Sequence, residues 1–180
     1  MNTLKLIFRK IGIIVAAAIC CAAITMTSCK DGNTEKQNNT EKNNGDKLCS
    51  LSTSITPCAG WEKNQAMSSW QHEEPSGSIT LTCSYIPSTV KSAEEFVEWY
   101  QEKNKKTFPA AEFGPVSKIK VDGKDALECI WLEPSINFKY RDIYIYLPSG
   151  AYIIQCGAFG KSFDALAGDF QTMINSYKLN

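Results

Sequence analysis

Apolar side chains recur at two periods along this chain, and the order in which the periods alternate outlines a fold. Over residues 78–86, Ile79, Leu81, Cys83 and Tyr85 alternate with Thr80, Thr82 and Ser84. Period two predicts a half-buried strand. Over 92–106 the period lengthens: Ala93, Phe96, Val97 and Tyr100 make one stripe with Trp99 at its edge, which predicts an amphipathic helix. Ser92 and Glu95 stand at capping-box spacing, and Lys103, Lys105 and Lys106 suit the negative end of the helix dipole. Strand patterns return at 116–121 and 125–132. They are joined through Asp122-Gly123, a pair that type I′ hairpins select because both central residues need positive φ. A second hairpin joins 141–147 to 151–158 through Pro148-Ser149-Gly150. The last periodic segment, 162–177, carries Phe163, Leu166, Phe170, Met173, Ile174 and Tyr177 at spacings of three and four, a helix with one face on a sheet. Ahead of these, 50–56 predicts a short strand and 57–61 a turn. Strands, helix, four strands in hairpins, helix: the pattern predicts an α+β domain, an antiparallel β-sheet covered by two α-helices.

The first 47 residues follow neither period. Residues 11–24 form an unbroken apolar run of 14 behind Lys5, Arg9 and Lys10, with no acid before it. A span needs about 20 apolar residues, so this run predicts an export signal over 1–28. Met26-Thr27-Ser28-Cys29 resembles the lipobox of bacterial lipoproteins. That resemblance implies lipidation at Cys29, a diacylglyceryl thioether with an N-acyl chain of the palmitate kind, and a place in the cell envelope, anchored to the outer membrane on its periplasmic or surface side. Ordinary signal cleavage with Cys29 as a bystander is the alternative. Residues 30–47 contain no apolar side chain and repeat Asn-Thr-Glu-Lys at 33–36 and 39–42. Nothing there offsets the entropy of ordering, so 29–47 is expected to be a disordered tether and 48–180 the globular domain.

Removing the three basic residues of the signal leaves 16 basic against 19 acidic residues, a net charge of −3. That excludes the basic footprint of a nucleic-acid partner. His72, the one histidine, lies in an expected exposed turn, and no Cys-x-x-Cys occurs; neither a metal nor a cofactor is expected. Cys49, Cys58, Cys83, Cys129 and Cys156 would meet an oxidising compartment, which favours disulfides. Five is odd, so at least one is left over or pairs between chains. If 50–56 is extended, Cys49 and Cys58 stand roughly 30 Å apart and do not pair with each other; a loop there would remove that bar. Cys83, Cys129 and Cys156 sit in expected strands, where a buried thiol also serves as a small apolar filler. Tyr144 and Tyr146 share one strand face, with Tyr140 ahead of them. They are either a surface for a protein or glycan partner or core beneath a helix. Glu94, Glu95, Glu98 and Glu102 read as the solvated side of the first helix.

Five features in order resemble the PsbP-like fold of an extrinsic photosystem II subunit and of DcrB-type bacterial envelope lipoproteins. They are Pro57-Cys58-Ala59-Gly60-Trp61, Ala93-Glu94-Glu95-Phe96-Val97, Val121-Asp122-Gly123-Lys124-Asp125-Ala126, Ser149-Gly150-Ala151-Tyr152, and Phe170 with Met173-Ile174-Asn175-Ser176-Tyr177. The resemblance spans 50–178 and implies a noncatalytic binding or assembly role, with the membrane met through the N-terminal lipid. It carries no binding residues over. The alternative is a thiol-dependent envelope enzyme with scattered residues, for which Cys58 and Cys156 are the candidates.

Overall fold

The computed structural model describes residues 53–64 and 67–179. The expected signal, Cys29, the tether, Cys49 and the start of the expected strand at 50–56 lie outside the described residues. Among those described, nine strands and two helices follow in the order β1 (Thr53–Ser54), β2 (Trp61–Asn64), β3 (Ser69–His72), β4 (Gly77–Ser84), α1 (Ala93–Thr107), β5 (Glu112–Val121), β6 (Lys124–Glu133), β7 (Phe138–Leu147), β8 (Gly150–Phe159), α2 (Gly160–Asn175) and β9 (Lys178–Leu179). Seven strands form one sheet in the order β2-β3-β4-β8-β7-β6-β5, every neighbouring pair antiparallel, and β1 pairs with β9. The fold is the α+β arrangement that the periodicity predicts.

The two helices cover opposite faces, and β7 shows how. Ile143 and Ile145 pack with Phe163, Leu166, Phe170 and Met173 of α2. Tyr144, between them, packs with Phe96 and Val97 of α1. Strand side chains alternate in direction, so a strand covered on both faces is apolar at every position there. The helices are not held equally. α2 buries Phe163, Leu166, Phe170, Met173 and Ile174, whereas α1 buries only Phe96 and Val97. At about 1.5–3 kcal/mol per fully buried side chain, the gross burial is roughly 10 kcal/mol for α2 and roughly 4 kcal/mol for α1.

Three segments depart from expectation. The expected turn at 57–61 is present, closed by the Trp61 N–H donating to the Cys58 carbonyl at 3.2 Å, but it leads into a hairpin, β2–β3, that the pattern does not predict. Its strands are four residues long, too short for alternation to register. Tertiary contacts hold it: Trp61 is buried edge-on against Phe170 with ring centroids 5.7 Å apart, and its Nε1 donates to Asp169 Oδ2 at 2.9 Å. The expected strand at 50–56 reduces, within the described residues, to Thr53–Ser54. Tyr85, expected to point inward, is 57% exposed because β4 ends at Ser84.

The outer strand β5 is shielded from pairing with another chain. It carries Pro115, Lys118 and Lys120 and a bulge between Phe113 and Val116, devices that blunt a free sheet edge. In the interior of the sheet, Gly157 of β8 leaves room for side chains of the neighbouring β7. A Cβ there would stand 2.6 Å from Phe138 Cε1, so two aromatic rings of β7 lie over bare backbone.

Candidate functional site

A groove of about 370 Å³ opens where the first turn of α1 passes the β5–β6 hairpin. Its walls are Glu94 of α1 and Lys118 of β5, an ion pair at 3.2 Å, with Asp125 of β6 beside them. Its apolar lining comes from Ala93, Ile119, Ala126, Leu127 and Tyr146. Capping sets the position of the helix wall. The Glu95 N–H donates to Ser92 Oγ at 3.1 Å, and Glu95 Oε2 accepts from the Lys91 N–H at 2.6 Å. The box closes one residue further back than the usual pattern, on Lys91 rather than on the cap residue. The other wall is set by the hairpin turn, where Asp122 (φ 50°) and Gly123 (φ 72°) adopt the positive φ that a type I′ turn requires. The Glu94 carboxyl lies below the usual range, chiefly through a backbone hydrogen bond and then through Lys118. Asp125 is lowered by Lys120, whose Nζ lies 2.7 Å away. These pairs are exposed, so solvent screening and side-chain entropy leave them little weight in stability. Their effect is to make a charge-balanced rim around an apolar floor. Among the described residues that line the groove, none offers a thiol, an imidazole or a hydroxyl other than the Tyr146 phenol. The chemistry on offer is apolar and aromatic contact with polar selection at the rim.

A second cluster lies under α1. Asp142 of β7 is fully buried. Its Oδ2 accepts from Trp131 Nε1 at 2.8 Å and from the Tyr144 hydroxyl at 3.1 Å, and its Oδ1 accepts from Gln155 Nε2 at 3.0 Å. All three donors are neutral. The neighbouring Arg141 faces the other side of the sheet, where it bonds Glu128 at 2.6 Å and Gln171 at 2.8 Å. Burial therefore prevails over the three hydrogen bonds and pushes the Asp142 carboxyl up to about 6. Burial also raises the Tyr144 hydroxyl well above its ordinary range.

The residues singled out by sequence separate. Tyr140 and Tyr144 are 3% and 0% exposed, so neither offers a partner surface. Tyr140 stacks on Trp131 at 3.9 Å, and Tyr144 lies beneath Phe96 and Tyr100 of α1. The physical reason is α1 over Tyr144 and the neighbouring Trp131 and Phe138 rings over Tyr140. Tyr146, one step nearer the strand end, is half-buried and lines the groove. Cys58, Cys129 and Cys156 are free thiols, which removes them as disulfide cysteines. Cys129 and Cys156 are fully buried and act as fillers within the two cores. All three thiols are raised, each first by burial. A nucleophilic thiol needs the reverse shift, so Cys58 and Cys156 lack the activation expected of a thiol enzyme. His72 is not in an exposed turn. It ends β3, half-buried, with its Nδ1–H donating to the Pro75 carbonyl at 2.9 Å and its ring 5.5 Å from Trp61. A Cβ at Gly60 (φ +84°) would stand 2.8 Å from its other nitrogen. Among the described residues no group of three or more His, Cys, Asp or Glu side chains is placed to hold a metal ion. None of the described helices is long and apolar enough to cross a membrane.

Sequence reasoning missed the groove apart from Tyr146. Its walls come from positions 93–94, 118–119, 125–127 and 146, which only the strand register brings together. It missed Asp142 because an acid in a strand reads as solvent-facing.

The chain matches no family profile and no curated protein. It is similar in fold to several solved structures, of which two follow. One is PA94 of Pseudomonas aeruginosa, a protein of unknown function described as a putative regulator. It matches at TM-score 0.51 and 11% identity, over 72% of this chain and 83% of that one. The other is LpqN of Mycobacterium tuberculosis, described as involved in cell envelope biogenesis. It matches at TM-score 0.51 and 9% identity, over 73% of this chain and 84% of that one. The cyanobacterial PsbP of Synechocystis sp. PCC 6803 superposes at TM-score 0.47 and 10% identity, over 74% and 95%. At these identities the likeness is one of fold.

Proposed function

We propose that this chain is a lipid-anchored cell-envelope protein that binds a partner and does not transform one. The observation that carries the proposal is Met26-Thr27-Ser28-Cys29 behind a basic start and an apolar run of 14 residues. Residues 1–28 are the signal, Cys29 takes the lipid, 29–47 are the tether, and the domain is held off the outer membrane on its periplasmic or surface side. A partner role suits the rest of the molecule. The groove has a balanced polar rim and an apolar floor, and the described thiols are pushed away from reactivity. LpqN, which shares the fold, is described as acting in cell envelope biogenesis.

The groove beside Tyr146 is the proposed contact with an envelope protein or glycan. A photo-crosslinking phenylalanine analogue in place of Tyr146, in the full chain in cells, is expected to yield an adduct of discrete mass. The same analogue at exposed Glu62, on the outer strand β2, is expected to yield none. Equal labelling at both positions, or none at either, counts against the groove.

A disulfide belongs to the same reading. After loss of Cys20 and Cys21 with the signal and lipidation of Cys29, five cysteines remain, and Cys58, Cys129 and Cys156 are free. The two left are Cys49 and Cys83, and a Cys49–Cys83 bond would fasten the end of the tether to β4. Peptide mapping without reduction should recover those two peptides linked and the other three thiols alkylated after unfolding. Recovery of five alkylated cysteines would remove the bond.

A further inference from the structure

Helix α1 lies over the Asp142 cluster with little of its own surface buried. Phe96 and Val97 are its two fully buried side chains. It also touches the cluster through polar and aromatic groups. Phe96 and Tyr100 meet the Tyr144 ring edge-on at 6.3 and 5.6 Å, and Gln101 Nε2 donates to Cys129 Sγ at 3.4 Å. Cys129 stands directly across from Asp142 in the β6–β7 register, and the Tyr144 hydroxyl donates to Asp142. The Asn104 side-chain amide nitrogen, further along α1, is buried without a hydrogen-bond partner. The seam between α1 and the sheet thus combines weak burial with a buried acid.

We propose that α1 is a pH-controlled flap, seated on the sheet when Asp142 is protonated and lifting more readily once Asp142 ionises.

The groups that bond Asp142, and those that touch its partners and the paired Cys129, come from several elements. β6 supplies Cys129 and Trp131, β8 supplies Gln155, β7 supplies Tyr144, and α1 supplies Tyr100 and Gln101. β5 contributes the Gly114 carbonyl that accepts from Cys129. None of these groups is cationic, and none is a second carboxyl. The adjacent Arg141 pairs with Glu128 on the opposite face of the sheet. Burial pushes the Cys129 and Tyr144 acids up, so both stay neutral through the acid and neutral range. One titration therefore dominates the seam. Lifting α1 lets water reach Asp142 and returns it toward an ordinary carboxylate. The sign follows from linkage. The seated form holds its proton up to about pH 6 and the open form loses it near pH 4, so opening becomes easier as pH rises between those values and levels off above. Because α1 also supplies the Ala93–Glu94 wall of the groove, its lifting would alter the groove.

Hydrogen exchange on the full protein tests this, with rates corrected for intrinsic pH dependence. Between pH 4.5 and pH 7.5 the opening constant read from α1 amides should rise on the order of 25-fold, while α2 amides stay level. In Asp142→Asn, which cannot ionise, the rise at α1 should vanish. An equal rise in α1 and α2, or an undiminished rise in Asp142→Asn, would overturn the proposal. Carboxyl-carbon NMR of the unmodified protein gives a readout that no variant needs to survive. A midpoint for Asp142 near 6 supports the flap, and a midpoint at or below 4 overturns it.

Discussion

Asp122 occupies the turn between β5 and β6 at φ 50° and fastens the end of the chain to it. Its Oδ1 accepts from Lys178 Nζ at 2.9 Å, and its Oδ2 accepts from the Leu179 N–H at 3.2 Å and from Lys124 Nζ at 3.4 Å. The hydrogen bond from Lys178, followed by that from Leu179, draws its carboxyl down to about 2. A lowered acid stabilises above its unfolded value, near 3.8, and the contribution is lost as pH falls through 2. Protection of the Leu179 amide against exchange should therefore hold at pH 4 and disappear by pH 2. Asp122→Asn, which tolerates the same turn, should lower that protection and remove its pH dependence. Unchanged protection in the variant would show that β9 is held by its pairing with β1 alone. The sequence announces this turn through Asp-Gly, yet it hides the clamp, because Lys178 and Leu179 lie more than fifty positions away. The tyrosines divide for a similar reason. Tyr144 and Tyr146 share a strand face, and only the reach of α1 decides that the first is core and the second lines a groove.

At the scale of elements, local signals suffice wherever they are long. Both helices and both long hairpins are legible, with shifts of at most four residues at their ends. α1 carries its own stop and start signals: Ser92 caps it, Glu94 and Glu95 lie in its first turn, and Lys105 and Lys106 lie in its last. These charges complement the helix dipole, which matters for a helix with only two fully buried side chains. Ser92→Ala should lower stability by about 1 kcal/mol, read as a lower urea midpoint with an unchanged slope. No change would mean that the Glu95–Lys91 bond holds the helix start by itself. The hairpin β2–β3 is the element the pattern does not reveal. Trp61 and Trp70 bury there against a cluster that includes Phe170 and Met173 of α2, residues about a hundred positions later. Its stability therefore lives in the tertiary structure and not in its own sequence.

As a whole, the molecule is a twice-covered antiparallel sheet with a groove at one edge and an acid sealed beneath its less firmly held helix. Fold class was legible because alternation and helical period are properties of neighbours in sequence. The groove and the Asp142 cluster were not, because each is assembled from four or more separate segments. Neither feature says where the protein resides; that rests on Cys29. Several acyl chains on one cysteine, each methylene worth about 0.8 kcal/mol on burial, would hold the domain at a membrane without a spanning helix. Growth with an alkyne-bearing fatty acid, followed by membrane fractionation, compares the natural chain with Cys29→Ser. The account predicts label and membrane association for the natural chain, and an unlabelled, normally folded Cys29→Ser protein that leaves the membrane fraction. A natural chain without label, or a Cys29→Ser chain that stays with the membrane, would contradict it.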